Sequence, residues 1–264
     1  MTTSSSAGKP GKWGWLDYTR AFGRAHQKAK VQLDSSMPLL EHLEEMRQRL
    51  FKAAAALVVA TGVSFIFAGQ LVDILAAPIG GRKSLVSIEV TENMAIFMRV
   101  SMLSGVSLAM PVIVYQLVRY VLPGLTDREK RWLLFGVPFA SLLFLSGVFF
   151  TWYIMLPAAL PFLIHFLGIT TQIRPNNYFE FATSLMFWIG LAFEMPLVVM
   201  FLAKLGFVKA SQLIKYWRYA VVAMAVVAAA VTPTVDPINM SLVMLPLGGL
   251  YIISIILAKI AGGS

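Results

Sequence analysis

Long uncharged apolar runs alternate along this chain with short basic stretches rich in turn formers. Six runs stand out: Ala53–Val72, Val100–Val118, Trp132–Leu156, Phe181–Ala203, Tyr219–Val231 and Ile238–Ala258. They are apolar all round, without the polar face of a soluble helix. About 20 residues at 1.5 Å each cross a hydrocarbon layer of about 30 Å, so the runs predict membrane-spanning helices. The third is framed by Trp132 and Trp152, whose twenty steps cover roughly 30 Å and match two interfacial aromatic belts. The fifth is too short: thirteen residues precede Thr232-Pro233. The sixth follows Asp236-Pro237 and contains Pro246, Gly248 and Gly249, so it too is predicted to be short. Such a hairpin must thin the bilayer or lean on a partner. Spans 2 and 4 share a Met-Pro pattern, at Met110–Val114 and Met195–Val199, which predicts two bent helices lining a concavity.

Composition agrees with the pattern. Hydrophobic residues are 58% and charged ones 13% of the 264 residues, against roughly 45–50% and 25% in soluble domains. Too few charges remain for a polar coat, so the coat is lipid. No cysteine is present, which rules out disulfides and thiolate metal sites. An even number of spans puts both ends on one side. Arg82, Lys83, Arg99 and Arg174 fall on the other side, while the other eighteen of the 22 Lys and Arg flank the terminal side. The positive-inside rule therefore predicts cytoplasmic termini. It also accounts for the net charge of +9 without a nucleic-acid partner.

Residues 1–36 are basic and small, with no apolar core of a signal peptide. They read as a mobile cytoplasmic tail, in which Trp13, Trp15, Leu16 and Phe22 offer a surface that can rest on a membrane. Residues 37–259 form the membrane domain and 260–264 a short C-terminal tail. His26, His42 and His165 lack metal-ligand spacing. No phosphate-binding glycine loop or serine-hydrolase elbow occurs, so no enzymatic activity, cofactor or metal is expected.

Four constellations carry the candidate chemistry. Glu194 is the sole charge between Glu180 and Lys204; an acid there costs on the order of 3 kcal/mol on insertion, which demands a polar partner or a wet cavity. One reading is functional, the other a protonated acid bonded to the acceptor that Pro196 leaves open. Ser36 to Leu50 opens with a helix-start signal at Ser36 and Pro38. Leu39, Leu43, Met46 and Leu50 make its apolar stripe, while His42, Glu45 and Arg49 share a polar face. There Glu45 either pairs with Arg49 across one turn or offers a carboxylate to a cationic peptide. In the loop 120–131, Thr126-x-x-Glu129 fits a capping box, and Glu129 is equally a second carboxylate for guanidinium. The fourth, the basic stretch Lys204 to Arg218, serves topology.

These residues resemble the TatC family, the six-span receptor subunit of the twin-arginine protein translocase. The resemblance rests on Pro38-Leu-Leu-Glu-His-Leu-Glu-Glu-Met-Arg-Gln-Arg-Leu50, Thr91-Glu92, Tyr115-Gln116, Leu122-Pro-Gly-Leu-Thr-Asp-Arg-Glu-Lys-Arg131, Phe193-Glu-Met-Pro196 and Thr232-Pro233 with Asp236. It covers Met37 to about Lys259. It implies an all-α integral membrane protein: six helices in a concave, cup-like bundle, short helices 5 and 6, and cytoplasmic ends in the inner membrane of a bacterium or archaeon. It further implies that Glu45 and Glu129 receive the paired arginines of a signal peptide, with Arg47, Arg49 and Leu125 nearby. Glu194 would face a groove, and Pro78 and Asp236 would serve the outer face. Single-span partners resembling TatA and TatB, further copies of the chain and membrane lipids are the implied company, with the proton gradient as energy source. The long basic tail departs from the family pattern. A rival reading is a proton- or ion-coupled solute transporter using Glu194, although a single intramembrane acid is few for that class.

Overall fold

The structure, a computed structural model, describes residues 13–121, 127–165, 173–232 and 237–262, with side chains described there except at 13–41, 121, 127–132, 162, 163, 165 and 238. Nine α-helices are found among the described residues. They are α1 (Trp13–Ala76), α2 (Glu92–Val121), α3 (Asp127–Phe150), α4 (Leu156–His165), α5 (Pro175–Phe193), α6 (Met195–Lys204), α7 (Ala210–Lys215), α8 (Trp217–Val231) and α9 (Pro237–Gly262). By contacts the chain divides into two units, Met1–Leu50 and Phe51–Ser264.

In the first unit, α1 begins at Trp13 and runs through Ser36 and Pro38, whereas the sequence predicts a start there. Residues 20–33 are mostly good helix formers, and a proline removes one ladder bond without ending the run. The amphipathic pattern is inverted relative to a soluble helix. Leu43, Met46 and Leu50 are exposed, and Glu45 and Arg49 are half-buried.

In the second unit, the six runs reappear as five helical spans long enough to cross a membrane and one shorter apolar helix, Trp217–Val231. The spans are His42–Ile79, which begins in the first unit, Glu92–Tyr120, Leu133–Pro161, Pro175–Lys204 and Asn239–Gly262. The third joins α3 to α4 through a π-helical segment, Thr151–Met155. The fourth joins α5 to α6 across Glu194. α8 has 15 residues, about 22 Å of helix, so the short fifth span stands. The sixth does not: α9 is continuous for 26 residues through Pro246. Hydrocarbon cannot bond a loosened backbone, so one proline costs a single bond and the helix carries on. α2 likewise continues through Pro111.

Outward faces are apolar, as at Ile66 (78% exposed) and Phe135 (77%), a surface suited to lipid or to an apolar partner helix. We call the side carrying residues 77–91 and 173–174 distal, and the side where α2 ends proximal. The largest core cluster gathers Leu75, Ile96, Val100, Leu156, Phe179, Leu185 and Ile189, with Val243 and Leu247 of α9. Helices approach closely where side chains are smallest. A Cβ added at Gly147 of α3 would stand 2.8 Å from Gly190 Cα of α5 and 2.9 Å from Phe193 Cγ. Gly147→Leu is therefore expected to wedge α3 from α5 and destabilise the purified protein by about 1–3 kcal/mol, read as a lowered Tm in detergent; an unchanged Tm would refute the close packing.

Candidate functional site

Glu194 sits where the fourth span breaks. Pro196 has no N–H to give to the ladder, and α5 ends one residue before Glu194 while α6 starts one residue after it. The Glu194 N–H turns back to Leu191 O at 3.1 Å, and its carbonyl accepts the first bonds of α6, from Leu197 N at 3.1 Å and Val198 N at 3.0 Å. The proline thus creates a helix N-terminus inside the membrane, with its positive dipole end beside the carboxyl. The side chain is buried, near the Phe144 backbone of α3, and Oε1 has no hydrogen-bond partner among the described residues. A buried polar atom left in this way is a place where a donor from outside the chain can bind.

A separate cavity of about 490 Å³ lies between α1, α2 and α3, lined by Leu71, Leu103, Ser104, Ser107, Trp152 and Met186 among others. Its hydroxyls are already bonded: Ser107 donates to Leu103 O at 2.9 Å, and Ser104 accepts from Ser64 at 3.1 Å. Its walls therefore suit an apolar chain. Glu194 does not line it.

On α1, Glu45 accepts from Arg49 Nε at 3.1 Å and also from its Nη2, with His42 Nδ1 3.9 Å away. Arg47 donates to Glu44 at 3.2 Å. The helical pairing expected from the spacing is present, and Glu45 keeps 32% of its side chain exposed. Glu129 stands in the first turn of α3, with its side chain outside the described residues. Leu125 and Asp236 lie outside the described residues altogether.

Pro78 is placed on the distal side, in a 3-10 turn, Ala77–Ile79, that ends at Gly80 with φ +88°. Lacking an N–H, it leaves Ile74 O without its ladder donor. The Trp152 indole, on the π-helical segment, donates to that carbonyl at 3.0 Å. The next carbonyl, Leu75 O, accepts from Tyr178 OH of α5 at 2.6 Å. Arg82 pairs with Asp73 at 2.6 Å and donates to Gly69 O. The two distal segments meet through a bridge between Leu85 and Ile173, and the Arg174 guanidinium donates to Glu92 and Glu89, bonds that hold it still more firmly protonated.

The family resemblance marks Pro78 but not its partners. By sequence pattern Trp152 is an interfacial belt residue, and Tyr178 carries no signal. Thr91-Glu92 belongs to a motif, while Arg174 bears only on topology. The missing N–H of Pro78 is the available clue, but nothing local names a donor 78 residues from Ile74.

Fold and site together define a multi-pass α-helical membrane protein with a buried acid at a helix break. The family model for the Sec-independent protein translocase protein TatC matches residues 41–246. A Deinococcus radiodurans protein described as Sec-independent protein translocase protein TatC is 34% identical over 238 residues, 86% of this chain and 87% of that one. A Synechocystis protein of the same description is 38% identical, over 84% of this chain and 88% of its own length. The chloroplastic protein of Arabidopsis thaliana is 36% identical, over 89% and 70%. Two crystal structures of the twin arginine translocase receptor TatC superpose with TM-scores of 0.74 and 0.76. They are 36% and 35% identical, and each match covers 83% of this chain and 99% of the other. The chain belongs to the TatC family. The solute-transporter reading finds no support in these likenesses.

The distal bond gives a double-mutant cycle. Trp152→Phe strands Ile74 O, whereas in Pro78→Ala a backbone N–H at 78 is restored. The cost of Trp152→Phe is expected to fall by about 1 kcal/mol in the Pro78→Ala background, measured by unfolding in mixed micelles; additive effects would show that the two residues do not share that carbonyl.

Proposed function

We propose that this chain is the receptor subunit of a Sec-independent translocase that recognises twin-arginine signal peptides of folded cargo. The observation that carries this reading is the match, over 83% of the chain, to crystal structures of a twin arginine translocase receptor. The Lys and Arg asymmetry supports placing both termini in the cytoplasm of a bacterial or archaeal inner membrane. Recognition begins at the carboxylates of Glu45 and Glu129, each taking a guanidinium through charge-assisted bonds of roughly 1.5–3 kcal/mol before solvent screening. At Glu45 the incoming arginine exchanges with Arg49. The exchange swaps one guanidinium for another, so the carboxylate stays paired throughout. Arg47, Arg49 and Leu125 border the motif. The apolar part of the signal then lies in the membrane portion, for which the apolar cavity supplies fitting walls. Glu194 offers its buried oxygen to a donor from the signal or from a single-span partner resembling TatA or TatB. Further copies of the chain complete the receptor, the short α8 thins the bilayer beside it, and the proton gradient drives passage. Pro78 and Asp236 serve the outer side.

Two variants test the reading. Glu45→Gln with Glu129→Gln should cut photo-crosslinking to a twin-Arg peptide at least tenfold, down to the level of a twin-Lys peptide, and abolish export of a twin-arginine reporter. Glu194→Gln should keep that crosslinking and still lower export severalfold. Normal capture and export in the double variant would overturn the receptor reading.

A further inference from the structure

The distal halves of α2 and α5 carry two ion pairs of opposite polarity. Glu92 opens α2 with a side chain only 2% exposed. Its Oε2 accepts from Ser87 Oγ at 3.0 Å and Ile88 N at 3.1 Å. Its Oε1 accepts from Arg174 Nε at 3.2 Å and Nη2 at 2.8 Å. Arg174 immediately precedes α5 and also reaches Glu89 at 2.8 Å. About two turns deeper the signs are exchanged: Arg99 of α2 meets Glu180 of α5 at 3.0 Å. Both helices start on the distal side and run the same way.

We propose that these crossed pairs are positioning residues that set the axial register of α5 against α2. At about 1.5 Å per residue, the second pair lies about 9–10 Å below the first. Were α5 to slide by that distance toward the distal side, Glu180 would face Glu92. Were it to slide the other way, Arg174 would face Arg99. Either slip brings like charges together and strands a buried carboxylate, a costly arrangement. An apolar seam of Val, Leu and Ala has no such preference, because hydrocarbon contacts are nearly equivalent after a whole number of turns. A buried ion pair adds little net stability over apolar packing, whereas fixing register is its best-attested use. The register matters because Glu194 closes the same helix, roughly 30 Å of chain from Arg174. Holding the start of α5 sets how deep the carboxyl lies. That last consequence rests on the receptor reading; the register itself does not.

The absence of cysteine permits a direct test on the full chain. Spin labels at Met102→Cys and Leu191→Cys, both lipid-exposed, report the α2–α5 distance by electron–electron resonance in nanodiscs. The parent is expected to give one distance. Arg99→Glu with Glu180→Arg gives both pairs the same polarity, so a slip now brings opposite charges together. A second population is then expected, from an axial shift of about 9–10 Å. Arg99→Gln with Glu180→Gln, a milder change at partly exposed positions, is expected to broaden the distribution. A second or broadened population in either variant supports the proposal; one unchanged distance in both overturns it. In a slipped variant, export should fall severalfold while twin-Arg peptide capture persists. Normal export from a slipped helix would sink the link to Glu194 and leave the receptor reading standing.

Discussion

Hydrocarbon offers no hydrogen bonds, so a backbone carbonyl that a proline strands stays unmet unless another part of the chain supplies a donor. That constraint organises both notable places in the structure. At Pro78 the stranded Ile74 carbonyl is taken by an indole from another span, and the neighbouring carbonyl by a tyrosine hydroxyl from a third. At Pro196 the ladder is interrupted and restarted, and the restart point is Glu194. One interruption is repaired and becomes an anchor. The other sets a buried carboxyl at the restart, whose side-chain Oε1 has no partner among the described residues.

The two outcomes give the molecule a braced distal end and a buried acid at mid-span. On the distal side, side-chain bonds to backbone, the Leu85–Ile173 bridge and the pairs around Arg174 tie α1, α2 and α5 together. The large core cluster gathers the same elements. Toward the proximal side, among the described residues, Val118, Leu133 and Val137 form one small cluster and Val199, Ala203 and Ala258 another.

Much of the fold was legible in the sequence because in a membrane length and composition nearly decide the matter. Glu194 was legible as an intramembrane acid for the same reason: a charge in an apolar run stands out without any knowledge of its neighbours. Two expectations failed. Ser36 and Pro38 looked like a helix start, and Pro246 with Gly248 and Gly249 looked like a break. In both cases a local signal of ordinary strength in water was overridden, on the one hand by strong helix formers upstream and on the other by the cost of opening a backbone in lipid.

The residues alone therefore determined six apolar helices, their alternation, the sign asymmetry of the flanks and the isolated acid, since each depends on composition over a window of about twenty positions. Only the tertiary structure decided that Trp152 serves Ile74 rather than a lipid headgroup, and that Gly147 lies against Gly190. It alone decided that the charges of α2 and α5 meet in crossed pairs. The Trp152–Ile74 bond and the Arg174–Glu92 pair join positions some 80 residues apart. Which helix lies beside which is settled by packing in three dimensions, which no local pattern records.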